Sequence, residues 1–346
     1  MDMTDRGRLK QHLISWATAS PLAGPPGAGV GTLVLADAAH IPAVTAAGLV
    51  GPRTLLLAPD DGTGGPASAV GYQGSLTEPG DEFSNGQDFF LQTHAYAASP
   101  FMTVFGPTVV RVFDQNDFEA FLADADRALT EGVFPEFLIT SSVLLADPAA
   151  LSGAHDPVDG PALRLYADRD GQVSTSPTGA VLGTVDDSLD TLTERFARTG
   201  PGAAALDAVL PAETRADALR SRPFLARYLE AVTALRSLMA RGVTGLRVSG
   251  FGSRLTPELA AAGAAADLAD PTLPIVLYGD EDAYVVAGSR LFAVDRRAAR
   301  ALECLLATSG EVGDLVPADE VDQLAELFAR HALSLPVPVR VPAAAR

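Results

Sequence analysis

Leu9, Leu13 and Trp16 recur at helical spacing in an opening segment that Pro21 must end, and Gly24–Gly31 follows as a loop. Strand and helix patterns then alternate. Thr32–Ala36 and Thr54–Ala58 read as strands around a short helical segment, Pro42–Gly48. From Ala69 to Phe105 the pattern is one of short strands and turns, with Phe89–Tyr96 and Phe101–Phe105 the better strands. Thr108–Phe113 is a β-branched strand that leads into a helix with Asn116 as its cap, Glu119 three positions on and Gly132 beyond its end. Phe118, Phe121, Leu122, Ala125 and Leu129 form the apolar face of that helix. Phe137–Leu145 reads as a strand, and Asp147–Pro161 as a long loop or subdomain boundary.

A hairpin and a helix around Leu189–Ala197 come next, closed by Gly200 and Pro201. The most regular helical pattern lies between Pro223 and Gly242, where Phe224, Leu225, Tyr228, Leu229, Val232, Leu235, Leu238 and Met239 recur at helical spacing. Gly245–Gly250 predicts a strand, Pro257–Leu268 a helix, and Asp270-Pro271 a boundary. Three short strands follow: Ile275–Tyr278, Tyr284–Ala287 and Arg290–Val294, the last two joined through Gly288-Ser289. Asp295 is placed to cap a helix over Arg296–Ala307, with Ala298, Ala299, Leu302, Leu305 and Leu306 on one face. Gly310 ends it, Val312–Val316 makes a short second helix closed by Pro317, and Asp319 caps a third with Val321, Leu324, Ala325 and Phe328 in a core-facing row.

The expected architecture is an α/β or α+β region followed by a module of three strands and then three helices. The expected division is residues 1–200 as an α/β region, 201–269 as an extension packed on it, and 270–346 as the terminal module.

Composition narrows the possible partners. A formal charge of -18 over 346 residues repels phosphate backbones and anionic lipid, so neither nucleic acid nor membrane is an expected partner. The apolar stretch Gly29–Val50 is broken by Asp37, His40 and Pro42, too often for a spanning helix. The first residues, with Asp2, Asp5 and Arg6, do not read as a secretion signal. The single cysteine, Cys304, leaves no internal disulfide to form and fits a reducing compartment, here expected to be the cytoplasm.

No catalytic constellation is expected either. Gly27–Thr32 is glycine-rich like a phosphate loop, but it precedes a strand and holds no lysine. His12, His40, His94, His155 and His331 are scattered without metal-site spacing, so neither metal nor cofactor is expected. Ser141-Ser142 lacks the glycine elbow of a hydrolase nucleophile. Gly250–Arg254 reads as a structural turn, with anion binding through Arg254 as the alternative, and Asp60-Asp61 and Asp186-Asp187 read as solvated turn carboxylates.

The run AYVVAGSRLFAVDRRAARALECLL, with the later EVDQLAELFARHAL, resembles the PqqD-like recognition element of systems that make ribosomally synthesised, post-translationally modified peptides (RiPPs). Asp295 matches the family's helix cap, Ala298 and Ala299 its small residues, Leu302 and Leu305 its apolar face, and Leu333 its closing leucine. The connection between helices is longer than in the pattern, and Pro317 falls where a helix often continues. The match covers about a fifth of the chain, and with the long preceding region it resembles the dedicated recognition proteins of daptide-type gene clusters.

The resemblance implies a winged helix that takes the leader of a precursor peptide as an added strand on its third strand, against its third helix. It also implies tailoring enzymes as partners: an oxidative decarboxylase, an aminotransferase and a methyltransferase acting on the same precursor. Carried onto this chain, the peptide-binding residues are Arg290, Leu291, Phe292, Ala293 and Val294 on the strand, and Gln323, Leu324, Leu327, Phe328, Arg330 and His331 on the helix. For Leu327 the spacing fits both a peptide contact and a wide core stripe. For His331 it fits a partly exposed histidine at a helix end. Asp319, Glu320, Asp322 and Glu326 stand against Arg330 alone, which sets DNA binding by that helix aside. The expectation is thus a non-catalytic accessory protein. The alternative is a peptide-modifying enzyme with its active site within residues 30–260.

Overall fold

A computed structural model describes residues 3–23, 27–60, 69–154, 158–200, 204–263, 265–288, 290–312, 315–331 and 333. Asp2, Gly24, Asp61, Gly62, His155, Pro201, Ser289 and residues 313–314, on which parts of the sequence reading fall, lie outside them. The chain is mixed α/β and forms two compact units: Met1–Phe121 with Ser142–Arg220, and Leu122–Ser141 with Ser221–Arg346.

The first unit is built on a ten-stranded mixed sheet. Its strands are β1 (Thr32–Leu35), β2 (Leu55–Pro59), β3 (Ala69–Gly74), β4 (Glu82–Ser84), β5 (Phe90–Ala95), β6 (Thr108–Arg111), β7 (Val143–Leu145), β8 (Arg164–Ala167), β9 (Gln172–Ser174) and β10 (Gly183–Thr184), in the order 10-9-8-1-2-3-4-5-6-7. β8, β1, β2 and β3 run parallel, and so do β5, β6 and β7. Alternation sends Leu33, Leu35, Leu56, Leu165 and Ala167 to one face, where Val44 of α2 (Ile41–Ala46) and Leu192 and Phe196 of α6 (Leu189–Thr199) cover them.

The opposite face is concave. Val34, Leu57, Tyr72, Phe83, Leu91, Val109 and Tyr166, drawn from seven strands, share one core with Leu9, Leu13 and Trp16 of helix α1 (Met3–Thr18). The sheet therefore wraps around the apolar face of α1, which packs against β1, β7 and β8.

Helix α3 (Gln115–Glu131) carries the chain into the second unit, and α7 (Ala212–Ser221) leads back to it. There α4 (Glu136–Ile139) packs on α8 (Leu225–Met239). A four-stranded antiparallel sheet follows, in the order β11 (Arg247–Val248), β12 (Ile275–Tyr278), β13 (Ala283–Ala287), β14 (Arg290–Val294). Helix α9 (Pro257–Ala261) precedes β12, while α10 (Arg296–Ala307) and α11 (Ala318–Arg330) follow β14. Leu259, Val276, Val285, Ala299, Leu302, Leu305, Leu324 and Phe328 belong to the core they enclose. Buried Glu303 on α10 accepts from the Ser249 hydroxyl and from the amides of Leu255 and Thr256, tying residues 249–256 to the last helices.

Several local expectations change. Residues 101–105 form no strand: Ser99–Phe101 is a single tight helical turn, and Phe101 and Phe105 are 88% and 80% exposed. Their alternation marked a strand that has no sheet to join. Phe137–Leu145 divides into α4 and β7, because the helix starts directly after Pro135 and Thr140 then turns extended. Asn116 lies inside α3, and its cap is Asp114, which accepts from the Asp117 amide at 2.9 Å. Asp319 sits in the first turn of α11 rather than capping it; the cap position is Pro317. The helix from Pro257 stops at Ala261, and Gly263 takes φ 65° just beyond.

Candidate peptide-binding edge and cleft

β13 and β14 pair from Ala283↔Val294 to Ala287↔Arg290, so only residues 288 and 289 connect them. In such a two-residue hairpin the closing pair exchanges both hydrogen bonds, and direction alternates outward from it. The amides of Arg290, Phe292 and Val294 therefore face β13, and those of Leu291 and Ala293 face away. Among the described residues no strand pairs with that outer side. It is an edge of five residues.

Side chains alternate as well. Phe292 and Val294 share the cleft face with Val285, the partner of Phe292, while Leu291 and Ala293 lie on the other face with Val286 and Tyr284. Val285, Phe292, Ala293, Val294, Leu327, Phe328, His331 and Leu333 line a cleft of about 30 Å³ between β14 and α11, room for one small apolar group. One end of it is fixed by Arg290: its guanidinium lies 4.9 Å over the Phe292 ring and donates to the His331 carbonyl at 2.7 Å. The rings of Phe292 and His331 meet at 4.9 Å between centroids, tilted by 53°. Exposed cation–π contacts of this kind contribute about 0.5–1 kcal/mol, enough to hold Phe292 against His331.

The structure thus brings six of the eleven sequence-derived residues together in the cleft and places Arg290 at its end. Leu324 is fully buried beneath it, Gln323 and Arg330 are exposed and do not line it, and Leu291 is on the opposite face. Val285 was missed, although its place opposite Phe292 follows once the hairpin register is known.

A second cluster was missed entirely. In the first unit, Asp147 lies between two guanidiniums, 2.6 Å from Arg164 and 3.4 Å from Arg111, all three at most 2% exposed at the side chain. Arg164 also pairs with Asp159 at 2.9 Å and donates to the Trp16 carbonyl, and Arg111 donates to the Ser176 hydroxyl at 2.6 Å. Burial lowers Arg111 below the ordinary arginine range, more than one long contact with Asp147 returns. Burial acts the same way on Arg164, but Asp147 and Asp159 together outweigh it and hold its proton more tightly. Asp147 itself, at the start of helix α5 (Pro148–Ser152), adopts φ 52°, ψ 43°, a backbone that L residues other than Asn and Asp seldom take. These groups join the ends of β6, β7, β8 and β9, so the cluster closes the curled sheet.

The glycine-rich run lies at the amino ends of β1 and β8, where a Cβ on Gly51 would fall 1.7 Å from the Ala28 carbonyl oxygen. Close chain packing accounts for these glycines. Arg254 pairs with Asp267 at 2.8 Å, both buried, which uses the guanidinium in a structural contact. No group of three or more metal-ligating side chains occurs among the described residues, and no helix there is long and apolar enough to cross a membrane. No family model matches this chain, and neither does any curated protein or solved structure.

Proposed function

We propose that this protein is a non-catalytic accessory factor of RiPP biosynthesis that binds the leader of a precursor peptide as a fifth strand on β14. The observation that carries this reading is the juxtaposition of an unpaired strand edge with an apolar cleft against α11. Outward amides and carbonyls of Leu291 and Ala293 supply backbone hydrogen bonds, and the cleft takes one small apolar side chain of the peptide. β12, β13 and β14 with α10, the short segment after it and α11 then form a PqqD-like winged helix. The acidic surface of α11, with exposed Asp322 and Glu326, favours a leader with basic residues beside its apolar anchor. In a daptide-type system the first unit would dock the tailoring enzymes, in the cytoplasm.

A search of the genes flanking this one for a short precursor, followed by fluorescence polarisation of the full chain with its labelled leader, tests the reading. A Kd near ~1 μM, about -8 kcal/mol, is expected. Mass spectrometry of the precursor after incubation with this protein alone should show no mass change; one would favour an enzyme.

A further inference from the structure

The concave core of the first unit opens at the carboxyl ends of β8, β1 and β3, where ligands of parallel sheets commonly sit. A cavity of about 520 Å³ occupies that mouth. Its wall is aromatic: the rings of Tyr72 and Phe83 meet at 4.3 Å between centroids, tilted by 41°, and Tyr166 stands beside them. Its rim carries four carboxylates, Glu78, Asp81, Asp168 and Asp170, against one guanidinium, that of Arg169.

Two of these carboxylates are held in place. Asp81 accepts the amides of Thr77 and Glu78 through Oδ2, and Asp168 accepts those of Asp170 and Gln172 through Oδ1. The second oxygen of each has no protein donor among the described residues. The Tyr72 hydroxyl is committed, donating to the Leu35 carbonyl at 2.5 Å. That of Tyr166 is not. Tyr166 is only 7% exposed and lines the cavity, yet among the described residues its hydroxyl has no hydrogen-bond partner. Burial first, then the charges of Asp168 and Asp81, push this phenol up to about 12, so it stays protonated and available.

We propose that this mouth binds a small organic cation, a primary ammonium or a guanidinium. The aromatic wall takes its cationic face, the free oxygens of Asp81 and Asp168 accept its N–H groups, and the Tyr166 oxygen accepts another. The site goes beyond leader recognition: it lies in the first unit, and its test uses no peptide.

The experiment is calorimetric titration of the full chain with agmatine and with n-butylammonium, with butyramide and butyrate as uncharged and anionic controls. Saturable one-to-one binding of a cation, with neither control binding, is expected. Asp81→Asn combined with Asp168→Asn keeps the oxygens that hold the two turns but removes the charge, and should weaken binding at least tenfold. Tyr166→Phe should weaken it several-fold with thermal unfolding unchanged, and it decides the matter if the double variant does not fold. N-acetyl-arginine amide separates the sources of the ligand. Binding equal to that of agmatine points to a basic peptide side chain, and weaker binding to a free amine. No saturable binding up to roughly 10 mM of any cation, a limit near 3 kcal/mol, overturns the proposal. So does unchanged affinity in the folded variants, or a preference for butyrate.

Discussion

At one end of the ten-stranded sheet β7 lies against α1, and at the other β10 is only two residues long, whereas β14 of the four-stranded sheet presents five residues with no strand beyond it among the described residues. Proteins normally blunt such edges, because unpaired amides and carbonyls invite other chains. The large sheet does so by curling and closing through buried charges. The small sheet leaves its last strand bare and sets an apolar cleft beside it. Within one chain, an edge protected in one sheet and open in the other leaves the small sheet as the place for the proposed strand addition.

The strongest way to break this contrast is Asp147→Ala. It strands two buried guanidiniums, and removing one partner of a buried pair costs about 3–5 kcal/mol. Denaturant unfolding should show a loss of that order; a loss below ~1 kcal/mol would mean that the cluster does not hold the sheet closed.

Next in size is Ala293→Pro. The amide it removes faces outward, so leader affinity should fall by more than ~1 kcal/mol while circular dichroism and melting stay unchanged. Ala293→Val keeps the donor and should bind almost normally. Proline at Phe292 or Val294 should damage the hairpin itself, since those amides bond to β13. If every position from Arg290 to Val294 accepts proline with fold and affinity intact, strand addition here is wrong.

Leu327→Ala probes the cleft more gently. Leu327 is half-buried and packs against the core, so truncation should weaken leader binding by about 1 kcal/mol with a similar or smaller loss of stability. Loss of stability alone would make Leu327 a core residue.

The smallest effect concerns acid. Burial, and for His12 also Arg8, holds His12 and His94 below their ordinary value of 6.5. The unfolded chain therefore takes up protons first, and stability is retained above pH 6.5 and lost as pH falls below it. Replacing His12 by Asn, which can keep a bond to Thr32, should flatten the stability profile between pH 7 and 5. An unchanged slope would assign acid sensitivity to other groups.

The hairpin, the Asp295 cap and the edge strand were legible because each rests on near neighbours in sequence. Asp295 accepts the amides of Arg297 and Ala298, two and three positions on, as its place before an apolar face predicts. The closure of the large sheet was not legible. Arg111, Asp147, Arg164 and Ser176 are separated by long intervals, and each alone reads as an ordinary strand-end or turn residue. Phe101 and Phe105 show the opposite failure, an apolar alternation that no neighbour among the described residues buries. The cation site escaped for a third reason: Tyr72 and Tyr166 look like core residues in any pattern, and only the geometry shows one hydroxyl committed and the other not.

The two-residue connection after Ala287, where Gly288 takes φ 58°, bears on how the proposed recognition at this edge can change by mutation. Substitutions along β14 adjust contacts one at a time. A single codon inserted at the connection acts on all of them at once, because a one-residue slip exchanges the faces of a strand. The side chains of Phe292 and Val294 would turn out of the cleft, those of Leu291 and Ala293 would turn into it, and the outward amides would become those of the neighbouring positions. Related chains that differ in length at this turn should therefore recognise different partners, however similar their strands.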